Sequence, residues 1–205
     1  MYTPPHFAED DDAIILGLVR STGFGHLVCV NDEGLTSTPM PFVVDDDLRA
    51  VRAHLARANP IWRSATGQAL IIVPVTSAYV SPGWYPSKVE HGKVVPTWNY
   101  EVVHLHGQVT IHDDPAWVGE QIAELTDHNE AELRKPWAVS DAPDDFIEKQ
   151  KRGIVGVEMT IERVEAKRKL SQNRSASDHD GVVRGLREQT TTGVPVADAM
   201  TSGPA

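Results

Sequence analysis

The sequence is poor in several features that mark particular classes of protein. It has a single cysteine, Cys29, so no disulfide can form within the chain. Cys29 lies in an apolar segment that is typical of a buried strand. Aromatic residues make up only 6% of the chain. No apolar run approaches the roughly 20 residues needed to cross a bilayer, and the first residues lack the basic-then-apolar order of a signal peptide. We therefore expect a cytoplasmic protein with no membrane segment.

Positive charge is also scarce. The chain carries 19 Lys and Arg residues against 29 Asp and Glu residues, which gives a formal net charge of −10. Affinity for nucleic acid depends largely on Lys and Arg side chains that replace phosphate counterions. We therefore expect no direct binding of nucleic acid.

What the chain does contain is a series of short segments with the alternating apolar pattern of β-strands, separated by turn residues. Amphipathic helical patterns occur near residues 9–23, from Ala116, over residues 144–151 and over residues 178–189. This order favours an antiparallel barrel with helices packed over its ends. The predicted strands cover residues 26–30, 35–44, 48–56, 69–80, 103–111 and 153–170.

We expect one domain over residues 1–189 and a disordered tail over residues 190–205, because the tail is polar and contains few apolar residues. Residues 81–100 form a long loop in this interpretation. Within the second strand, Pro39 and Pro41 are two residues apart. Since proline donates no ladder hydrogen bond, that strand should be an edge strand or contain a bulge.

The segment AHLARANPIW at residues 53–62 has the composition of a phosphate-binding site. His54 and Arg57 offer donors or positive charge, and Asn59 is a preferred N-cap residue with Pro60 at the first helical position. A helix N-terminus presents free N–H groups to an anion. The alternative is an ordinary capped helix with a surface arginine, and the segment alone does not distinguish the two.

Two other segments concentrate candidate binding side chains. Trp84 and Trp98 lie in the predicted loop, where they form either an aromatic wall for a flat ligand or packing contacts that hold the loop in place. Asn99 can bind a ligand or cap its own turn. After the last strand, Lys169, Ser171, Gln172 and Asn173 bring several hydrogen-bonding groups together.

Four segments in order resemble one family: STPMPF at residues 37–42, the AHLARANPIW segment, YVSPGWYPSK with VPTWNYEVVHLHG at residues 79–107, and KLSQNR at residues 169–174. They resemble the PaiB family of FMN-binding negative transcriptional regulators, which is similar to the pyridoxamine-phosphate-oxidase-like proteins. The resemblance covers about residues 1–189. It implies an α+β, mainly β fold: a six-stranded antiparallel split β-barrel with peripheral helices.

The resemblance also implies a homodimer that binds FMN in a groove between its subunits. His54, Arg57 and Asn59 would then lie near the cofactor phosphate, and Thr38, Pro39 and Met40 along the isoalloxazine ring. The expected cofactor-binding set is completed by Trp84, Trp98, Asn99, Lys169, Ser171, Gln172 and Asn173. No nucleophile with a base and no paired carboxylates can be identified from spacing, so we name no catalytic residue.

Three functions remain open from the sequence. The first is an FMN-binding protein that acts as a flavin-dependent oxidoreductase or as a ligand-sensing regulator, with a small-molecule substrate or ligand. The second is a haem b enzyme on the same scaffold, with His54 as the axial metal ligand. This would resemble the piperazate synthases, relatives that form a nitrogen–nitrogen bond. The third is a transcriptional regulator, which we expect to act through a ligand or a partner protein.

Overall fold

A computed structural model describes residues 1–32, 34–65 and 67–202. Seven strands form one antiparallel sheet in the order β1-β7-β4-β3-β2-β5-β6. β6 also pairs with β7, which closes six of the strands into a ring. This arrangement confirms the predicted six-stranded barrel. The strands are β1 (Ala8–Glu9), β2 (Phe24–Asn31), β3 (Gly34–Val44), β4 (Ala50–Ala56), β5 (Gly67–Val80), β6 (Thr97–His112) and β7 (Ile154–Lys169).

Six α-helices accompany the sheet in the described residues, and none of them is long and apolar enough to span a bilayer. The helices predicted near residue 9, from Ala116, over residues 144–151 and over residues 178–189 are all present, with ends that differ by a few residues. The helices are α1 (Asp12–Thr22), α2 (Ser87–His91), α3 (Pro115–Glu130), α4 (Asp144–Lys151), α5 (Ala176–Gln189) and α6 (Val194–Thr201). Short 3-10 turns cover Pro5–Phe7, Pro60–Arg63, Pro82–Trp84 and Val139–Asp141.

Helix α6 departs from the expectation of a disordered tail over residues 190–205. Val196 and Ala197 have no exposed surface, and Met200 is 8% exposed. Met200 lies one turn after Val196 and Ala197, so the three residues share one side of α6, where they pack in a cluster with Val182 and Leu186 of α5. The average composition of the tail is polar, but the few apolar residues share one face. Residues 203–205 lie outside the described part of the chain.

The loop predicted over residues 81–100 also contains regular structure. The Ser81 side chain accepts a hydrogen bond from the Gly83 N–H and caps the 3-10 turn Pro82–Trp84. Helix α2 follows and ends at Gly92, whose φ of 67° lies in the left-handed region that glycine adopts without strain. β6 then begins at Thr97, before the predicted end of the loop.

Backbone contacts group the chain into two compact units. The first unit combines Met1–Ile15, Pro74–Val103 and Glu165–Ala205, and the second combines Leu16–Val73 and His104–Val164. The core of the first unit contains Tyr85, Leu186 and Val196, and the core of the second contains Leu27, Phe42 and Met159.

β3 lies between β2 and β4 in the sheet, so it is not the edge strand that its prolines predicted. The Phe42 N–H donates to the Gly23 carbonyl on the β2 side, so the nitrogens of Pro39 and Pro41 face the opposite side. On that side, β3 pairs with β4 only at residues 42–44. No ladder hydrogen bond is therefore lost at either proline.

Candidate functional site

The second unit contains a polar cavity of about 600 Å³ beside Asn59, which we call the Asn59 pocket. Its walls come from the ends of β2 and β3 and from the turn that follows Asn59. The Asn59 Oδ1 accepts a hydrogen bond from the Ile61 N–H at 3.1 Å, and its Nδ2 donates to the Thr38 Oγ1 at 3.0 Å. Asn59 is thus the N-cap that the sequence predicted, and it contacts another predicted site residue.

The capped element is shorter than expected. It is a four-residue 3-10 turn, Pro60–Arg63, so its dipole and its free N–H groups contribute less to anion binding than a full helix would. The charge comes instead from Arg63, an exposed residue of the pocket wall whose guanidinium lies 4.9 Å from the ring centroid of Trp62. Within residues 1–32, 34–65 and 67–202, Arg63 has no carboxylate partner. Asp32 adds one negative charge to the wall.

Arg57, in contrast to Arg63, is bound to a carboxylate and to two backbone carbonyls. Its Nε donates to the Arg152 carbonyl at 2.9 Å, and one terminal nitrogen donates to the Ile154 carbonyl at 3.0 Å. Both terminal nitrogens also bind the Asp113 carboxylate. These side-chain hydrogen bonds raise the pKa of Arg57 and lower that of Asp113. Arg57 lines a separate cavity of about 460 Å³. Its hydrogen bonds link the end of β4 to Asp113 and to the start of β7.

His54 lies on the face of β4 that α3 covers. Its neighbours Ala53 and Leu55 are buried on the opposite face, as the sequence predicted. The His54 Nδ1 is 2.8 Å from the Oε1 of Gln121, a residue of α3 that is only 2% exposed. An acceptor at Nδ1 favours the tautomer that carries its proton there, which leaves a lone pair on Nε2. Nε2 of His54 forms no hydrogen bond with any described residue.

The three predicted residues of β3 do not share one surface. Met40 is 1% exposed and Thr38 is 9% exposed, whereas Pro39 points outward. This alternation follows from the two-residue period of a strand. Only Pro39 can therefore present its side chain to a ligand along β3, and Thr38 contributes through its contact with Asn59.

In the first unit, the two tryptophans differ in role. Trp98 is 54% exposed and its ring meets that of Tyr79, which is 46% exposed, edge-to-face at 6.2 Å between centroids. The two rings are nearly perpendicular, at 74°, so the exposed aromatic surface for a flat ligand is the indole of Trp98 alone. Trp84 instead packs closely against Gly185, and its Nε1 donates to Gln189 at 2.9 Å. Trp84 therefore holds the segment before α2 against α5.

Asn99 and Ser171 bind each other within the protein. Asn99 has no exposed surface, and its Nδ2 donates to the Ser171 Oγ at 2.9 Å and contacts the Met200 sulfur at 3.4 Å. Ser171 has a φ of 67°, which is uncommon for a residue with a side chain. The pair therefore links β6 to the turn after β7 and to α6.

The remaining predicted residues lie around that turn. Both polar atoms of the Gln172 side chain bind nearby backbone groups: Oε1 accepts from the Leu170 N–H at 2.7 Å and Nε2 donates to the Arg168 carbonyl. Asn173 is exposed. Lys169 donates to the Thr97 hydroxyl at 2.7 Å and to the Trp98 carbonyl. Burial lowers the pKa of Lys169, and the positive charges of Lys167 and Arg174 lower it further.

Sequence reasoning missed two residues of interest. Arg63 follows the AHLARANPIW segment directly, and its position one turn after the cap was a usable signal. Gln121 lies between the buried residues Val118 and Leu125 of α3 at helical spacing. A polar side chain on such a stripe indicates a buried hydrogen-bond partner.

The ring of six antiparallel strands with peripheral helices defines a split-barrel protein. Residues 1–163 match the family model described as "Putative FMN-binding domain", and the chain belongs to that family. The resemblance that the sequence motifs indicated is therefore confirmed.

Two curated relatives cover nearly the whole chain. An uncharacterized protein of Aspergillus fumigatus is 38% identical, over 98% of this chain and 96% of its own length. The protease synthase and sporulation protein PAI 2 of Bacillus subtilis is 29% identical, over 92% of this chain and 90% of its own length.

Solved structures share the fold at low sequence identity. The flavocytochrome Anf3 from Azotobacter vinelandii aligns with a TM-score of 0.59 and 16% identity, over 85% of this chain and 75% of its own. A FAD and heme binding protein from Mycobacterium smegmatis aligns with a TM-score of 0.59 and 18% identity, over 84% of this chain and 78% of its own. At these identities the likeness establishes the architecture alone.

Proposed function

We propose that this protein binds FMN and that the Asn59 pocket holds the FMN phosphate. The observation that carries the proposal is Arg63, which lines the polar pocket without a carboxylate partner among the described residues. A guanidinium matches the geometry of a phosphate and can bind two of its oxygens. Membership of a family described by FMN binding supports the same ligand.

The pocket also fits the remaining requirements of a phosphate site. Its volume of about 600 Å³ lies within the range of small-molecule clefts, roughly 300–1,000 Å³. Ser37 and Ser64 also line the pocket, and the Ser64 hydroxyl donates to the Ile61 carbonyl at 3.2 Å. Bound FMN supplies one- and two-electron redox chemistry. The residues described here would hold its charged end, and the protein would act as a flavin-dependent oxidoreductase or a ligand-sensing regulator.

A binding titration with matched variants tests the proposal. We expect FMN to bind the purified protein and Arg63→Ala to weaken the affinity by about 10- to 100-fold, since it removes a charge-assisted contact of roughly 1.5–3 kcal/mol. Asp32→Asn should strengthen binding because it removes a negative charge from the pocket wall. Arg49→Ala, which changes an exposed arginine paired with Asp47, serves as the control.

Riboflavin binding distinguishes a contact with the FMN phosphate from a contact with the ring system. It lacks the phosphate, so Arg63→Ala should leave riboflavin binding unchanged. Failure of the wild-type protein to bind FMN would contradict the proposal, as would equal FMN affinity in the Arg63→Ala and Arg49→Ala variants. A contact between Trp98 and the cofactor ring, the homodimer and a small-molecule substrate remain predictions.

The environment of His54 favours haem b as a second candidate cofactor. Metal-binding histidines commonly donate one ring N–H to a protein acceptor, which directs the lone pair of the other nitrogen to the metal. The contact between the His54 Nδ1 and the Gln121 Oε1 at 2.8 Å meets this condition. His54 would hold the iron through Nε2, and Gln121 would orient the ring.

Absorption spectra after reconstitution with hemin test this candidate. A Soret band that is present in the wild type and lost in His54→Ala would support it. His106→Ala, which changes a half-buried histidine of β6, is the control. A spectrum identical in all three proteins would show that His54 holds no iron.

A further inference from the structure

β7 ends in three consecutive basic residues whose surroundings differ. The middle residue, Arg168, has two carboxylate partners: its Nε donates to Glu101 at 2.7 Å, and a terminal nitrogen donates to Glu9 at 3.2 Å. All three side chains are largely buried. The two carboxylates more than balance the positive charge of Arg168 within the first unit.

Lys167 and Lys169 lie on the other face of the strand and have no such balance. Lys167 is 8% exposed, and its Nζ donates to the Tyr2 carbonyl at 3.0 Å. The two ammonium groups share the Tyr100 ring, at 5.3 Å for Lys167 and 6.0 Å for Lys169 from its centroid. Among the described residues, neither lysine has a carboxylate partner within hydrogen-bond distance.

Burial removes water from the two ammonium groups, and the neutral groups around them replace only part of that hydration. A buried cation such as Lys167 is costly without a counter-charge, and carbonyl oxygens and ring faces offset that cost incompletely. Lys169 is half-buried, and its Nζ donates to the Thr97 hydroxyl and the Trp98 carbonyl, which are also neutral groups. The lowered pKa of Lys169 reflects the same burial, together with the charges of Lys167 and Arg174. Arg174 lies over the Tyr85 ring at 4.9 Å, again beside an aromatic group. This local excess of positive charge contrasts with the net charge of −10 for the whole chain.

We propose that Lys167 and Lys169 form a binding site for a small phosphate-type anion, the lysine-pair site. An anion between the two ammonium groups would supply the counter-charge that the described residues lack and would remove their mutual repulsion. The site is distinct from the Asn59 pocket and does not depend on FMN binding. Its ligand is a small molecule with a phosphate or diphosphate group.

Thermal unfolding in inorganic pyrophosphate, compared with sodium chloride of equal ionic strength, tests the proposal. We expect saturating pyrophosphate to raise the Tm of the wild type by about 2–5 °C. Lys167→Met and Lys169→Met should each lose most of this rise. Lys88→Met, which changes an exposed lysine of α2, should keep it.

Variants of the Asn59 pocket distinguish the two anion sites. Arg63→Ala should keep the pyrophosphate effect if the lysine pair binds the anion. If Lys167→Met does not fold, Lys167→Arg preserves the charge and should keep the effect, while Lys169→Met alone then tests its loss. The proposal is overturned if chloride produces the same rise, if both lysine variants respond like the wild type, or if only Arg63→Ala abolishes the response.

Discussion

At the scale of single residues, a side chain's partner decides its role more than its type does. His54, Arg57 and Asn59 form one sequence motif, yet they bind Gln121, Asp113 and Thr38 respectively. The capping role of Asn59 was predictable because its partner, the Ile61 N–H, is two residues away. The partner of Arg57 lies 56 positions away in the sequence, and that of His54 lies 67 positions away. No local pattern indicates such pairs.

The contact between Trp84 and α5 supports a prediction at this scale. A Cβ atom at Gly185 would lie 2.3 Å from the Trp84 ring, so Gly185→Ala must displace the indole. We expect it to lower the free energy of unfolding by about 1–3 kcal/mol, as overpacking does. Urea denaturation followed by circular dichroism measures the change.

Gly17→Ala is the matched control, because a Cβ at that position of α1 meets no atom within 4 Å. Alanine has the higher helix propensity, so this variant should be unchanged or more stable by up to about 1 kcal/mol. Equal stability of the two variants would show that Trp84 does not pack against Gly185 in solution.

At the scale of elements, periodic patterns predicted the barrel strands and four of the helices, because alternation and helical spacing are local properties. The same reasoning missed α2 and α6. Helix α6 has eight residues, and its stability depends on burial against α5 rather than on its own composition. The tail therefore resembled a disordered segment when its sequence was considered alone.

Two valines of α6 test this explanation with the same chemical change. Val196 has no exposed surface, whereas Val194 is 40% exposed. We expect Val196→Ala to lower the free energy of unfolding by about 1–3 kcal/mol through lost burial and a cavity. Val194→Ala should change it by less than about 0.5 kcal/mol. If both variants match the wild type in chemical denaturation, α6 does not pack in solution.

At the scale of the whole molecule, composition limits the partners. The net charge of −10 opposes contact with a polyphosphate, and the lysine-pair site is suited to one small anion rather than to a nucleic-acid backbone. A regulatory role, if the protein has one, is therefore expected to depend on a bound small molecule or on another protein.

A gel-shift assay tests this expectation directly. We expect no complex between double-stranded DNA and nanomolar protein at 50 mM salt, where phosphate contacts are strongest, with or without added FMN. A complex that forms at low salt and weakens as salt rises would contradict the expectation, since that response indicates displaced counterions.

The amino-acid sequence by itself determined the strand pattern, the Asn59 cap and the family, because each depends on neighbouring residues or on motif order. The tertiary structure alone decided which cations are neutralised. Arg57 forms an ion pair with Asp113, and Arg168 forms ion pairs with two glutamates. Among the described residues, no carboxylate pairs with Arg63, Lys167 or Lys169. The physical reason is that an ion pair requires proximity in space, which folding creates between residues far apart in the chain.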